Sequence, residues 1–162
     1  MAEENRITGT VLTASAAETE EAGRALGRRL LAEGERTRFI ALFGDLGAGK
    51  TAFVRGLAAE ITPGARVSSP TYTVVNEYRG GGRTLYHMDF YRIENEDDLE
   101  SIGFYEYRGL IAAEWCEKVP YALPERYLAV RIVKTGDDTR EITVEEVSPV
   151  LSGGGDTSGA LF

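Results

Sequence analysis

Positions 44 to 51 of this chain read Gly44-Asp45-Leu46-Gly47-Ala48-Gly49-Lys50-Thr51. The pattern G-x-x-x-x-G-K-[ST] is typical of a loop whose backbone N–H groups surround phosphates, an arrangement that its glycines make possible. Lys50 would reach the β- and γ-phosphates of a nucleotide, and the Thr51 hydroxyl would bind Mg²⁺ at the positive end of a helix. A chance match in this chain has odds on the order of one per cent.

The residues on both sides of this loop predict a strand before it and a helix after it. Arg38 to Phe43 form an apolar run of the length expected for a buried parallel strand. After the loop, apolar residues recur at helical spacing as far as Ile61, and Pro63-Gly64 follows. A glycine-rich turn without a ligand would not require this order. We therefore interpret residues 38–62 as a unit that binds a nucleoside triphosphate.

Composition and charge limit the class of protein. The chain has 162 residues, of which 43% are hydrophobic and 27% charged, as is ordinary for one globular domain. Its single cysteine fits a reducing cytoplasm, its polar residues 1–6 do not resemble a signal peptide, and no apolar stretch approaches membrane-spanning length. The net charge of −8 disfavours direct binding to DNA or RNA. We expect a cytoplasmic protein that contacts RNA only through a partner and does not bind DNA or membranes.

The rest of the chain predicts a mixed sheet with helices. Ser15 and Glu18 have the spacing of a capping box, which places the start of a helix there, and residues 95–102 predict a short acidic helix. Turn signals at residues 79–83 and 135–138 each predict an antiparallel pair of strands. The predicted strands cover residues 7–12, 38–43, 74–78, 84–89, 110–113, 127–133 and 140–147.

These elements together predict an α/β fold of the P-loop NTPase type. The sheet would have a parallel core with antiparallel strands added to it, and helices would flank it. We expect a single domain over residues 1–147 and a flexible tail rich in glycine and serine over residues 148–162.

Two acidic residues stand where predicted strands end. Asp89 follows Leu85-Tyr86-His87-Met88, and Glu114 follows the more apolar Leu110-Ile111-Ala112-Ala113. A phosphate-binding loop needs carboxylates near Mg²⁺, normally at the end of a neighbouring strand. Each acid could bind the metal, directly or through water, or orient the attacking water. We assign Glu114 to the metal, Asp89 to the metal or the water, and a catalytic role to both and to Lys50.

Several other residues have two interpretations. His87 is the only histidine, and a lone histidine among aromatic residues is more often a packed or hydrogen-bonded core group than a catalytic base. Ser69-Pro70-Thr71 is either a proline turn or a switch that senses the γ-phosphate. Trp115 either packs in the core or forms a wall of the site. Asp45 would repel phosphates, so its carboxylate is expected to point away from them or to hold a water or a partner.

Four motifs in this order and approximate spacing resemble the TsaE (YjeE) family, the bacterial ATPase subunit for threonylcarbamoyladenosine synthesis in tRNA. The resemblance covers about residues 38–118. The motifs are the phosphate loop at residues 44–51, Ser69-Pro70-Thr71-Tyr72, His87-Met88-Asp89-Phe90-Tyr91-Arg92, and Glu114-Trp115.

The resemblance implies an ATPase that works with the TsaB and TsaD proteins on the adenosine beside the anticodon of tRNAs reading ANN codons. Its hydrolysis would reset the complex, and the tRNA would be held by the other subunits. The family pattern assigns the loop to ATP, Thr51, Glu114 and Asp89 to Mg²⁺ or hydrolysis, and Trp115 to nucleotide or partner contact. It makes Ser69 to Thr71 switch-like. It also places nucleotide contacts at Ser15, Thr19 and Arg140.

One departure and two alternatives remain. The family usually has proline after Glu-Trp, where this chain has Cys116, so the turn there is less constrained.

A small P-loop kinase of a nucleoside or another small molecule is the main alternative, although no lid-like cluster of arginines is evident. A nucleotide-dependent switch is another, and the missing guanine-reading Asn-Lys-x-Asp pattern then favours ATP over GTP. Because no arginine finger accompanies the loop, we expect slow hydrolysis by the isolated chain.

Overall fold

The computed structural model of the chain describes residues 7–34, 37–45 and 47–149. The polar amino terminus, Leu46 of the phosphate loop and the tail from residue 150 onward therefore lie outside the described residues. The single-domain boundary at residue 147 and the flexibility of the tail stay predictions.

Strands and helices alternate irregularly along the described chain. The strands are β1 (Gly9–Thr13), β2 (Phe39–Phe43), β3 (Val75–Gly80), β4 (Arg83–Asp89), β5 (Leu110–Glu114), β6 (Tyr127–Lys134) and β7 (Arg140–Val147). The helices are α1 (Ala16–Ala32), α2 (Lys50–Ile61) and α3 (Glu96–Ser101), with short 3₁₀ turns at Phe104–Glu106, Cys116–Lys118 and Pro120–Ala122. Within these described residues, no helix is long and apolar enough to cross a membrane.

All seven strands form one sheet in the order β1-β7-β6-β2-β5-β4-β3. The four inner strands β6, β2, β5 and β4 are parallel to their neighbours within that group. The strands β3, β7 and β1 are added antiparallel at the two sides. The prediction of a parallel core with antiparallel additions is therefore confirmed.

The central strand β2 shows why the sheet is buried on both faces. Ile40 and Leu42 belong to the core under α1 and α2, whereas Phe39 and Ala41 belong to the core on the opposite face. All four side chains are at most 3% exposed. A parallel strand covered on both faces requires a continuous apolar sequence, and residues 39–43 provide it.

Helices α1 and α2 pack with their backbones in close contact. An ideal Cβ atom on Gly56 would lie 1.8 Å from the carbonyl oxygen of Glu20, and one on Gly23 would lie 2.0 Å from that of Phe53. Only residues without a side chain fit at these two positions. Since α2 begins at Lys50, this contact also determines where the phosphate loop sits.

Local sequence patterns predicted the start of helix α1 correctly and the start of strand β3 incorrectly. The Ser15 hydroxyl accepts the N–H of Glu18 at 3.1 Å, so α1 begins where the capping pattern predicts. The predicted start of a strand at residue 74 is wrong by one residue. Val74 has a φ of +68°, and β3 begins at Val75. Val74 donates its N–H to Pro70 and accepts the N–H of Asp89, each at 2.8 Å. These two bonds hold a β-branched residue in the left-handed region.

Candidate nucleotide-binding site

The strand register brings the two predicted acids together beside the phosphate loop. In the parallel pair of β4 and β5, Asp89 lies opposite Glu114, and in the pair of β2 and β5 Glu114 lies opposite Leu42. Both acids end their strands, and the loop leaves β2 at the same edge of the sheet. Asp89 is 6% exposed and Glu114 is 5% exposed.

The backbone of the loop curls as its glycines allow. Gly47 has a φ of +78° and Gly49 a φ of +110°, values that other residues rarely adopt. Ala48 donates its N–H to the carbonyl oxygen of Asp45 at 2.9 Å and so closes the turn. Gly49 precedes α2 and has no side chain to cap the first amides of that helix, which an anion can therefore bind.

A cavity of about 320 Å³ lies between the loop and the two acids. It brings together the loop, both acids, two hydroxyls of the predicted switch and Trp115. Among the described residues its lining consists of Gly47, Gly49, Lys50, Thr51, Ala52, Ser69, Thr71, Asp89, Glu114 and Trp115. A larger cavity of about 590 Å³ lies at the amino ends of the strands, lined by Arg38 and Leu110 among others, and is remote from this chemistry.

Lys50 is a buried cation at the centre of the site. Its Nζ donates to the carbonyl oxygen of Gly44 at 2.6 Å and lies 3.9 Å from Glu114 Oε1. It also lies 4.7 Å from the centre of the Trp115 ring, which is only partly buried and lines the cavity. A phosphate in the loop would compete with the Gly44 carbonyl for this ammonium group.

The two carboxylates have different surroundings. Glu114 Oε2 lies 2.7 Å from His87 Nε2, and this contact is completely buried on the histidine side. Asp89 Oδ1 accepts the N–H of Tyr91 at 2.8 Å. Burial raises the pKa of the Asp89 carboxyl above its usual value, and the Tyr91 N–H opposes that shift only in part. A carboxylate with a raised pKa is a better proton acceptor, which suits a group that orients an attacking water.

The oxygen donors at this site fit Mg²⁺ bound together with a nucleotide. They are the hydroxyl of Thr51 and the carboxylates of Asp89 and Glu114. The described part of the chain contains no group of three or more His, Cys, Asp and Glu side chains that could hold a metal. Mg²⁺ commonly binds through one or two carboxylates plus phosphates and water, so this small donor set is sufficient.

The remaining predicted nucleotide contacts, Ser15, Thr19 and Arg140, are hydrogen-bonded to protein groups. Ser15 caps α1, and the buried Thr19 hydroxyl lies 2.8 Å from that of Thr13. As far as the described residues show, Ser15, Thr19 and Arg140 do not line the cavity. The Asp45 side chain is exposed, whereas its carbonyl belongs to the loop turn.

The predicted switch segment, Ser69 to Thr71, lies at the start of a turn that the Val74 N–H closes on the Pro70 carbonyl oxygen at 2.8 Å. The hydroxyls of Ser69 and Thr71 lie 2.8 Å apart and both line the cavity, whereas Pro70 is buried. The guanidinium of Arg92 donates to the Thr71 carbonyl oxygen and lies 5.6 Å from the centre of the Tyr72 ring. The switch role of this segment stays a prediction.

Cys116 stands at the position where the family that this sequence resembles usually has proline. It follows a residue with a left-handed backbone. Trp115 has a φ of +63°, and Cys116 begins the short 3₁₀ turn behind it. The Cys116 thiol is fully buried and donates to the carbonyl oxygen of Ala113 at 3.6 Å. Burial raises the pKa of this thiol above its usual value, so it stays protonated and unreactive.

Arg140 holds the phosphate loop by donating hydrogen bonds to carbonyl groups of the loop. The sequence did not reveal this contact, because Arg140 lies 92 residues after Ala48. Its Nε donates to the Ala48 carbonyl oxygen at 2.7 Å, and another nitrogen lies 3.3 Å from that of Gly47. We expect Arg140→Ala to weaken nucleotide binding by about ten-fold, since hydrogen bonds from charged groups contribute on the order of 1.5–3 kcal/mol. The fluorescence of Trp115, the only tryptophan, would follow the nucleotide titration.

The matched control for this change is Arg126→Ala, because Arg126 is exposed and precedes β6. Equal nucleotide affinity in the two variants would show that the Arg140 contacts do not organise the loop.

The chain is similar in sequence to known proteins. The chain matches the family model "Threonylcarbamoyl adenosine biosynthesis protein TsaE" over residues 13–142. The tRNA threonylcarbamoyladenosine biosynthesis protein TsaE of Bacillus subtilis (strain 168) is 43% identical over 111 residues, 67% of this chain and 69% of that protein. The protein of the same name from Treponema pallidum (strain Nichols) is 41% identical over 133 residues, 80% of this chain and 95% of that protein.

A solved structure has the same fold. The crystal structure of Bacillus subtilis YdiB matches this chain with a TM-score of 0.66 and 30% sequence identity. The match covers 87% of this chain and 86% of that one. The similarity therefore extends well beyond the phosphate loop, to the arrangement of nearly the whole described sheet.

Proposed function

The chain belongs to the TsaE family, and on that premise we propose that it is an ATP-hydrolysing subunit for threonylcarbamoyl modification of tRNA. It acts with the TsaB and TsaD proteins on the adenosine next to the anticodon of tRNAs that read ANN codons. The observation that carries the proposal is the convergence of Lys50, Asp89 and Glu114 on one cavity at the phosphate loop.

Each residue at the site has a task in this mechanism. The amides of the loop and of the first turn of α2 bind the phosphates, and Lys50 compensates their charge. Thr51 and Glu114, with Asp89, would hold Mg²⁺, which supplies further charge compensation when it is bound. Asp89 orients the attacking water and accepts its proton. Trp115 covers one side of the cavity and limits the access of bulk water.

The charges at the site support slow hydrolysis by the isolated chain. Lys50 is the one cation in the cavity lining that the structure describes. The nearby Arg92 is engaged by the Thr71 carbonyl and the Tyr72 ring. A missing arginine finger typically costs a factor of about 10³–10⁵ in rate. A partner protein that supplies a cation would therefore control the reaction, and the net charge of −8 leaves the tRNA to the partners.

The test of this proposal is the ATPase rate of the chain with and without purified TsaB and TsaD. We expect stimulation of about ten-fold or more when both are present, because they would complete the site. Phosphoryl transfer to a nucleoside without any such stimulation would instead identify a small kinase and overturn the proposal.

Glu114 can be tested separately from the partners. We expect Glu114→Ala and Glu114→Gln to lower hydrolysis by about 100-fold or more, because neither can provide a carboxylate to the metal. The glutamine variant keeps a hydrogen-bonding group beside His87, so it controls for loss of folding. Glu117→Ala, an exposed neighbour, is the matched control for charge. Normal turnover in Glu114→Gln would remove Glu114 from the reaction.

A further inference from the structure

A continuous chain of hydrogen-bonding groups connects Glu114 with Ser68, the residue directly before the predicted switch segment. From Glu114 it runs to His87 Nε2 at 2.7 Å, and from His87 Nδ1 to the Tyr78 hydroxyl at 3.2 Å. The Tyr78 hydroxyl donates to the carbonyl oxygen of Ser68 at 2.8 Å and accepts the N–H of Ser68 at 3.2 Å. His87 is 0% exposed, and Tyr78 and Glu114 are each 5% exposed.

We propose that His87 and Tyr78 are positioning residues that make the hydrogen bonding of the Glu114 carboxylate depend on the position of residues 68–71. The proposal rests on the proposed function insofar as Glu114 takes part in hydrolysis. It assigns a role to His87 other than simple packing.

The proton of the Tyr78 hydroxyl connects Ser68 with His87. A neutral His87 ring that donates from Nε2 to Glu114 has a lone pair on Nδ1. The Tyr78 hydroxyl has one proton, and two acceptors compete for it, the Ser68 carbonyl oxygen and His87 Nδ1. When Ser68 takes the proton, Nδ1 is left without a donor from Tyr78. When Ser68 moves away, the proton is available to Nδ1.

This competition reaches Glu114 without any change in the charge of the ring. A proton donated to Nδ1 favours the tautomer with Nε2–H, which is the form that donates to the carboxylate. A hydrogen bond to a metal-binding carboxylate from a residue that does not touch the metal orients the carboxylate and tunes its affinity for the metal. Residues 68–71 therefore influence Glu114 through two buried side chains.

The switch segment is placed to respond to the contents of the cavity. Ser69 and Thr71 line the cavity, and Ser69 directly follows the Ser68 peptide that Tyr78 binds. Thr71 donates its N–H to Ser69 Oγ at 3.3 Å, so the two residues that line the cavity are hydrogen-bonded to each other. A phosphate that engaged these hydroxyls would shift Ser68 relative to Tyr78.

Tyr78→Phe cuts the connection and keeps the aromatic ring. We expect its kcat to fall about five-fold, the effect of one hydrogen bond, while the KM for ATP stays close to that of the wild type. Tyr107→Phe is the control, because its hydroxyl donates to the Ile102 carbonyl in the opposite core. A merely structural role for Tyr78 would lower the melting temperature and leave kcat unchanged.

Two substitutions of His87 separate its two nitrogens. The amide nitrogen of His87→Gln can reach the position of Nε2 and keep a donor to Glu114, whereas that of His87→Asn reaches only the position of Nδ1. We expect the glutamine variant to retain more of kcat than the asparagine variant, with the same nucleotide affinity measured by Trp115 fluorescence. Equal kcat in both variants would contradict the proposal.

The single histidine allows a direct spectroscopic test that needs no hydrolysis. Protein with ¹⁵N-labelled histidine gives the signals of one imidazole ring. We expect Nε2 to be protonated, and we expect Pro70→Gly, which loosens the turn two residues from Ser68, to shift the Nδ1 signal. Pro124→Gly, at an exposed loop position, is the control and should leave the signal in place.

These results distinguish the inference from the proposed function. If the wild-type chain fails to hydrolyse ATP even with TsaB and TsaD, the proposed function is wrong, and the imidazole spectrum still decides whether residues 68–71 act on His87. If Pro70→Gly leaves Nδ1 unshifted and Tyr78→Phe has a normal kcat, the inference is wrong and the proposed function stands.

Discussion

Lys50→Ala is expected to lower ATP hydrolysis by at least about 100-fold, because it removes the cation that compensates charge at the transferred phosphate. The side chain is 7% exposed and lies within 3.9 Å of Glu114. No other cation of the described lining can replace it. The rate of phosphate release at saturating ATP measures the effect.

The fold should survive this change, because Glu114 keeps its contact with His87 at 2.7 Å. Circular dichroism and thermal melting would verify that the variant is folded. Lys134→Ala, at an exposed position in β6, is the matched control and should hydrolyse ATP normally. Hydrolysis by Lys50→Ala at a rate near that of the wild type would disprove a role for this lysine in catalysis.

Gly56→Ala is expected to lower the free energy of unfolding by about 2–4 kcal/mol, the scale of overpacking in a close contact. Helix propensity predicts the opposite sign, a gain of about 1 kcal/mol for replacing glycine with alanine within a helix. The added methyl group would lie 1.8 Å from the Glu20 carbonyl oxygen, so α1 and α2 must separate. Urea denaturation would measure the loss.

Ala25→Gly in α1 calibrates the size of the propensity effect alone, and we expect it to cost about 1 kcal/mol. The double variant with Gly23→Ala should lose less than the sum of the single losses, since one separation of the helices relieves both contacts. An increase in stability of Gly56→Ala would mean that propensity outweighs the backbone contact.

Local signals account for most of the secondary structure. The apolar run before the phosphate loop became β2, the capping pattern at Ser15 began α1, and the turn at residues 81–82 joins β3 to β4 as a hairpin. These features are visible in the sequence because each depends on neighbouring residues. Val74 escaped prediction because its left-handed backbone is held by Pro70 and Asp89, and Asp89 is distant in sequence.

The sequence indicated two acids that line the candidate cavity, and it did not indicate their contacts. Strand ends indicated Asp89 and Glu114, and the register of β4 with β5 places them opposite each other. The contact of His87 with Glu114 spans 27 residues, and that of Arg140 with the loop spans 92. Lone residues of this kind have no local pattern, so only the packed sheet reveals their partners.

The sequence by itself determined the phosphate loop, the order of strands and helices and the resemblance to the TsaE family, which the family model and the relatives confirm. These properties follow from residue types at short, regular spacing. The tertiary structure alone decided that Gly23 and Gly56 permit the helix contact, that Arg140 holds the loop, and that His87 lies between Tyr78 and Glu114. Such contacts depend on which strands become neighbours, and burial then makes their geometry exacting because unpaired polar groups and overlapping atoms are costly there.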